Sequence, residues 1–286
     1  MSNSLNTKFG PASNSSSFYA EGFRHTVQTA EWLSKRGLDA YEYSFGRGVK
    51  MRAETAQAIG EKFREFNIQL SVHAPYYINF ASNEQERVDA SVGFILQSAQ
   101  KLRELGGNRC VFHAAAAGSD GRENALKRTV ENIKFLTESI YRSGLSDLTF
   151  CPETMGKINQ IGDYKEIAEI CRVDKIFTPC VDFGHQNCRT FGGLKTEADY
   201  DEIVSYLLAE LGVDRVNSMH IHFSKIEYGK AGEIRHLTFA DKVYGPEFSP
   251  LAAVIRKHKL NPVIICESEG TQAEDAVEMK NIFFAA

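Results

Sequence analysis

The feature that most constrains this chain is a pattern repeated eight times: a short apolar run, a loop, then a longer amphipathic segment. The short runs begin weakly at Lys8 and Phe9 and return at 39–43, 69–73, 109–113, 148–153, 178–182, 218–223 and 263–267. The longer segments carry apolar residues three and four apart. Val92, Ile95, Leu96, Ala99 and Leu102 mark one of them, and Leu126, Val130, Ile133, Leu136 and Ile140 another. A period of about 3.6 predicts helices that bury one face, here over 26–35, 53–66, 88–105, 124–141, 164–171, 200–211, 251–258 and 273–284. Gly37, Gly106, Gly144 and Gly212 stand where such helices end. Eight strand–helix units with no linker between them predict one (β/α)8 TIM barrel spanning residues 1–286. A doubly wound open sheet is the alternative. No G-x-G-x-x-G follows an early strand, which argues against it.

Composition narrows the class. The chain has 286 residues, 43% hydrophobic and 24% charged, an ordinary globular balance. No apolar run reaches the ~20 residues of a membrane span, so no membrane partner is expected. Residues 1–17 are polar and lack the apolar core of a secretory signal. Cys110, Cys151, Cys171, Cys180, Cys188 and Cys266 form no C-x-x-C pair, and several lie inside apolar runs. They read as buried thiols of a cytoplasmic protein. A net charge of −4 does not point to a protein that coats nucleic acid, although a local field can differ from the total.

The chemistry collects where the strands end, on the face where barrels carry their sites. The third run ends at His73, the fourth at His113, the fifth at Glu153, the sixth at Asp182 with His185 just after, and the eighth at Glu267. One such residue is ordinary, but a succession restricted to His, Asp and Glu points to metal. Gly184, between Asp182 and His185, is read as a sharp turn. His220 and His222 are two apart on the seventh run, so they face the same way, while Met219 and Ile221 face the helices. One is expected to be a ligand and the other, deeper in the barrel, a supporting residue. His236 on the long seventh loop is a further ligand candidate, with Glu233 as its carboxylate partner. So many imidazoles and carboxylates exceed one four-coordinate ion and suit a cluster of two or three. Nitrogen and oxygen donors favour zinc, with manganese or iron as alternatives. Two cations ~3.5–4 Å apart suit phosphoryl transfer. His25 and His258 read as ordinary surface residues, and Cys188 as no ligand. Tyr76 and Tyr77 follow His73 on a loop, where an aromatic ring can meet a base. Arg47, Lys50, Lys225 and Lys230 are candidates for phosphate contacts.

The stretch Ser71-Val-His-Ala-Pro-Tyr-Tyr-Ile-Asn-Phe-Ala-Ser82, the Asp182-Phe-Gly-His185 step, Met219-His220 with Ser224-Lys225, and Glu267 together resemble the endonuclease IV family. These are apurinic/apyrimidinic endonucleases within the xylose isomerase-like barrels. The resemblance implies a zinc-dependent hydrolase of DNA repair, cutting double-stranded DNA 5′ to abasic sites and leaving a 3′-hydroxyl. It implies one ion on His73, His113 and Glu153, a second on Glu153, Asp182, His220 and Glu267, and a third on His185 and His236 with a carboxylate. Glu153, Asp182 and Glu267 would carry the catalysis, Tyr76 would enter the DNA, Arg47 is a looser match to a second inserted side chain, and Lys225 belongs to the DNA-binding set. The enzyme is expected to be a monomer.

Three departures mark a divergent branch. His113-Ala-Ala-Ala-Ala-Gly118 replaces His-Pro-Gly, and His222-Phe223 replaces Asn-Asp. Ile234 stands where the third-ion motif has Asp, leaving Glu233 as the nearest carboxylate. Two rival readings remain: a one-ion sugar isomerase or epimerase on the same barrel, and a relative that binds abasic DNA without cutting it.

Overall fold

The computed structural model describes residues 6–119 and 121–285. Eight parallel strands form one sheet: β1 (Lys8–Pro11), β2 (Ala40–Ser44), β3 (Gln69–His73), β4 (Arg109–His113), β5 (Thr149–Glu153), β6 (Cys180–Asp182), β7 (His220–Phe223) and β8 (Val263–Cys266). Each strand lies beside its sequence neighbours, and β1 pairs with β8. The ring draws shut between β1 and β2, where Asp39 N–H donates to the Phe9 carbonyl at 3.0 Å and Ser13 N–H to the Glu42 carbonyl at 2.9 Å. The helices outside are α1 (Thr29–Ser34), α2 (Ala53–Glu65), α3 (Gln85–Glu104), α4 (Arg122–Arg142), α5 (Tyr164–Cys171), α6 (Glu197–Leu211), α7 (Phe248–Lys257) and α8 (Gln272–Phe284). This is the (β/α)8 barrel that the alternating pattern predicts.

The helices form because each offers a stripe of apolar residues to the sheet. Helix α3 buries Val88, Val92, Ile95, Ala99 and Leu102, and α4 buries Ala125, Ile133, Leu136 and Ile140. They meet the outward side chains of the strands, Tyr41, Val72, Phe112, Phe150, Val181 and Ile221, in one apolar layer. Each such side chain contributes roughly 1.5–3 kcal/mol on burial. Met219 and Ile221 belong to this layer, as period two on the seventh strand requires.

The inside of the barrel is different. Its apolar content is two small groups, Ala40 with Val263 and Ile265, and Val111 with Cys151 and Cys180. Between and above them the interior is polar: Glu42, Ser71, Arg109, His220 and His222 are all buried. Buried polar groups of this kind destabilise a fold unless they are paired, so their concentration on one axis marks the site.

Two features beyond the strands are not legible as regular structure from the sequence. The seventh loop is a hairpin, Lys225–Gly229 against Gly232–Leu237, with Ile226 opposite His236. It is tied to the fifth loop, because Ile158 N–H donates to the Ala231 carbonyl at 3.0 Å and Glu233 N–H to that of Gly156 at 3.3 Å. The segment after Asp182 is a short helix, Phe183–Arg189, capped by the Asp182 side chain accepting from His185 N–H at 2.7 Å. Gly184 therefore does not make a sharp turn. It is small because a β-carbon there would stand 2.6 Å from the Ser224 carbonyl oxygen. Among the described residues, no helix is long and apolar enough to cross a membrane.

Candidate metal centre

Among the described residues there are four groups of donor atoms, the donors of each lying within 4.8 Å of one another: Cys180, His220 and His222 lower in the barrel, and three groups at the C-terminal ends of the strands. The first of these three is His73, His113 and Glu153; the second Glu153, Asp182, His222 and Glu267; the third His185, Glu233 and His236. Glu153 is common to the first two. Its Oε2 lies 3.0 Å from His73 Nε2 and 3.1 Å from His113 Nε2. Its Oε1 lies 3.3 Å from Nδ1 of both His222 and His185. In the third group, Glu233 Oε2 is 3.5 Å from His185 Nε2 and its Oε1 is 3.9 Å from His236 Nε2.

Local structure explains how these side chains converge. Register places Asp182 beside His222 and His113 beside Glu153, so ligands from adjacent strands share one level. His185 reaches the third group because the short helix carries it past Asp182, and its Nδ1 is held by the Thr154 carbonyl at 2.8 Å. The hairpin brings Glu233 and His236 over the same place, with Ser224 Oγ 2.8 Å from His236 Nδ1. Ile234, in the position where the resemblance implies Asp, is exposed and offers no donor atom. Gly156 makes room, since a β-carbon there would meet Glu233 Cβ at 2.7 Å and His185 Cδ2 at 2.8 Å.

The electrostatics fit a cation. Burial would push Glu153 up, but His222 and His113 hold it well below the usual carboxylate range. Glu267 is treated the same way, pulled down to about 2 by His222 in spite of burial. For Asp182, burial wins over the pull of His185, and its carboxyl is pushed up to about 6. Its Oδ2 is buried without a hydrogen-bond partner. Two further carboxylates crowd the same level, and a divalent ion would supply the charge that Asp182 lacks. The donors are imidazole nitrogens and carboxylate oxygens, which suits zinc and also manganese or iron.

Tyr76 stands at the mouth of this cleft. Its ring stacks on His113 with centroids 5.2 Å apart, and it is 55% exposed. Two hollows of about 480 Å³ lie on either side of it, one lined by Glu42, Ser44 and Arg235 and the other by His113, Lys157 and His185. A larger hollow of about 890 Å³ adjoins the first of these at Ser44 and carries Arg24, His25, Arg47, Lys50 and Arg52.

The family model of the xylose isomerase-like TIM barrel matches residues 30–282. The chain belongs to the xylose isomerase-like TIM-barrel family. An uncharacterized protein of Methanocaldococcus jannaschii is 32% identical over 248 residues, covering 87% of this chain and 88% of its own length. A probable endonuclease 4 of Staphylococcus carnosus is 27% identical over 184 residues, 62% of this chain and 59% of that protein. Among solved structures, a D-tagatose 3-epimerase-like protein aligns with a TM-score of 0.69 at 18% identity, covering 96% of this chain and 95% of its own. Endonuclease IV of Thermus thermophilus aligns with a TM-score of 0.65 at 17% identity, covering 97% of this chain and 98% of its own. At such identities both establish the fold and neither decides the activity.

Within this xylose isomerase-like barrel, two expected site residues stand apart from the shared carboxylates Glu153, Asp182 and Glu267. His220, implied as a ligand by the resemblance, lies one level below the centre, opposite Cys180 and Val263. His222 takes the place beside Glu153, Asp182 and Glu267. The alternation of the strand makes the later histidine the upper one, as the residue-level reading of a deeper supporting His allows. Lys225 does not face solvent. It is buried, and its Nζ donates to the Asp241 carbonyl at 2.8 Å and to Glu247 Oε1 at 2.7 Å, so it is not available to a phosphate. Arg47 is exposed beside the basic hollow. His25 is exposed and His258 pairs with Asp201 at 2.6 Å, both outside the centre.

Sequence reasoning missed Glu42. Its Oε1 lies 2.9 Å from His222 Nε2 and its Oε2 3.0 Å from His220 Nε2. The signal was a charged residue inside the otherwise apolar and aromatic run of β2, at an inward position.

Proposed function

We propose that this chain is a metal-dependent phosphodiesterase that cuts duplex DNA 5′ to abasic sites, leaving a 3′-hydroxyl. The observation that carries the reading is the presence of two further ligand groups, His73 with His113 and His185 with Glu233 and His236, around the set Glu153, Asp182, His222 and Glu267. A one-ion site needs only the last of these. Two or three cations bound there, zinc in the first instance, would polarise a phosphodiester and stabilise the leaving oxygen.

The chain's own residues supply the rest. Glu153 offers one oxygen to each side and spans two ligand groups. His113 and His73 form the floor beneath Tyr76. Tyr76 is placed to stack where a base is missing. Arg47, with Lys50, Arg52 and Arg24 in the adjoining hollow, would hold the phosphate backbone despite the net charge of −4. The buried thiols support a place in the cytoplasm.

A second reading is supported by the structural neighbours. A D-psicose 3-epimerase aligns with a TM-score of 0.66 at 14% identity, and the quartet around Asp182 can serve one ion and a sugar. The deciding experiment uses purified protein, supplemented with zinc or manganese, on a duplex carrying a tetrahydrofuran abasic analogue. Incision with elemental analysis of two or three ions per chain supports the nuclease. No incision at any metal supplement overturns it, and one ion with ketose epimerisation replaces it with the second reading.

A further inference from the structure

Glu42 poses a question that stability does not answer. It sits on β2 inside the barrel, 1% exposed, among His220, His222 and Ser71. A buried ionic group of this kind is often replaceable by apolar residues at no loss of stability.

The answer lies in which nitrogen each ligand histidine presents. A ligating nitrogen is unprotonated, so in a neutral imidazole the proton sits on the other one, and the partner of that other nitrogen sets the tautomer. His73 has Nδ1 held by the Ala74 carbonyl at 2.8 Å, His185 has Nδ1 held by that of Thr154 at 2.8 Å, and His236 has Nδ1 against Ser224 Oγ at 2.8 Å. All three turn Nε2 to the centre. His222 is reversed. Its Nδ1 faces Glu153 Oε1 at 3.3 Å and Glu267 Oε2 at 3.4 Å, and its Nε2 faces Glu42 at 2.9 Å. Behind it stands Glu42, a carboxylate outside the three ligand groups, whereas the carboxylates near Nδ1 of His185, Glu153 Oε1 at 3.3 Å and Asp182 Oδ2 at 3.4 Å, belong to those groups. The Glu42 contact is short although the ring N–H does not point straight at the carboxylate oxygen. Ser71 Oγ donates to Glu42 Oε2 at 2.9 Å, and His220 Nε2 approaches the same oxygen at 3.0 Å. The lower histidine thus braces a carboxylate that orients the upper one.

We propose that Glu42 is a positioning residue of the metal centre: by holding Nε2 of His222 it turns an unprotonated Nδ1 toward a divalent cation shared with Glu153, Asp182 and Glu267. This rests on the metal-centre reading above. It assigns His220 and Ser71 the task of fixing Glu42, and it accounts for a histidine pair two residues apart with only one member at the ligand level.

The test is metal affinity. Zinc-loaded wild type, Glu42→Gln and Glu42→Leu are titrated with a chromophoric chelator, and the cobalt-substituted forms are compared by their visible spectra. Removing a carboxylate behind a ligating histidine is expected to weaken that ion by roughly 10–100-fold. The expected result is that Glu42→Leu loses one ion early and keeps the others at wild-type affinity, with a changed cobalt band and an unchanged circular dichroism spectrum of the metal-free protein. Glu42→Gln, which retains one oxygen, falls between. Wild-type affinity for every ion in Glu42→Leu overturns the proposal, and so does an equal loss of all ions, which marks a merely structural role. Should Glu42→Leu not fold, the cadmium-substituted wild type decides: nitrogen-edited NMR is expected to find the metal on Nδ1 of His222, and metal on Nε2 overturns the assignment. A wild type that holds no divalent cation overturns the metal-centre reading itself, a different outcome from ions that ignore Glu42.

Discussion

His220 and His222 share one strand and one face, yet they stand at different levels of the barrel. Their exchange of roles gives a direct test. His222→Ala is expected to remove an ion and reduce incision at least ~100-fold, in line with loss of a group that stabilises charge in the transition state. His220→Ala is expected to keep the full ion count and to cost about 1–3 kcal/mol of stability, because it leaves Glu42 short of a buried partner. Elemental analysis alongside denaturant melts separates the two, and a loss of ions in His220→Ala alone would restore the assignment by resemblance. Asp182→Asn is expected to abolish incision while the protein still folds, since the side-chain oxygen that caps the short helix is retained. Tyr76→Ala, at an exposed ring, is expected to leave ion content unchanged and to raise KM for abasic duplex, read from initial rates across DNA concentrations.

At the level of elements, the centre depends on two segments that carry no catalytic chemistry in their backbones. The short helix Phe183–Arg189 keeps Nδ1 of His185 beside Asp182 and turns its Nε2 toward Glu233, which the hairpin brings to meet it together with His236. The two segments touch at Gly184, whose space is limited by Ser224 and Ile226. Gly184→Ala is therefore expected to destabilise the fold by roughly 1–3 kcal/mol through overpacking, measured as a lower urea midpoint. From sequence Glu233 is only the nearest carboxylate, because Ile234 stands where the resemblance implies an acid. A shift in the hairpin register resolves this: Ile234 is left without a cross-strand partner between Glu233 and Arg235, so that Glu233 and His236, three residues apart, share one donor group with His185. Such a register depends on pairing between Lys225–Gly229 and Gly232–Leu237, which no local signal in a polar loop announces.

For the whole molecule, the proposed metal centre also bears on stability. The barrel interior holds Glu42, Glu153, Asp182 and several histidines where many barrels hold branched apolar side chains. Cations that bind only the folded chain stabilise it by mass action, about 4 kcal/mol at a thousandfold excess over Kd. Chelation is expected to lower Tm by on the order of 10 °C, and readdition of zinc to restore it. A Tm that ignores a strong chelator would show that the interior is held without metal.

The barrel, its strand ends and most of the residues that converge there are legible in the chain alone. Apolar periodicity of about 3.6 and 2 is a local property, and it is written into every helix and strand that must bury one face. His73, His113, Glu153, Asp182 and Glu267 were legible for the same reason, each standing where an apolar run stops. Which of His220 and His222 reaches the centre, whether Lys225 is free, and that Glu42 faces both histidines were decided only by tertiary structure. These depend on the level at which strands far apart in sequence come into register, and on which charged groups the barrel encloses together. Periodicity places a residue on a face, but it does not measure how far along the barrel axis that residue stands.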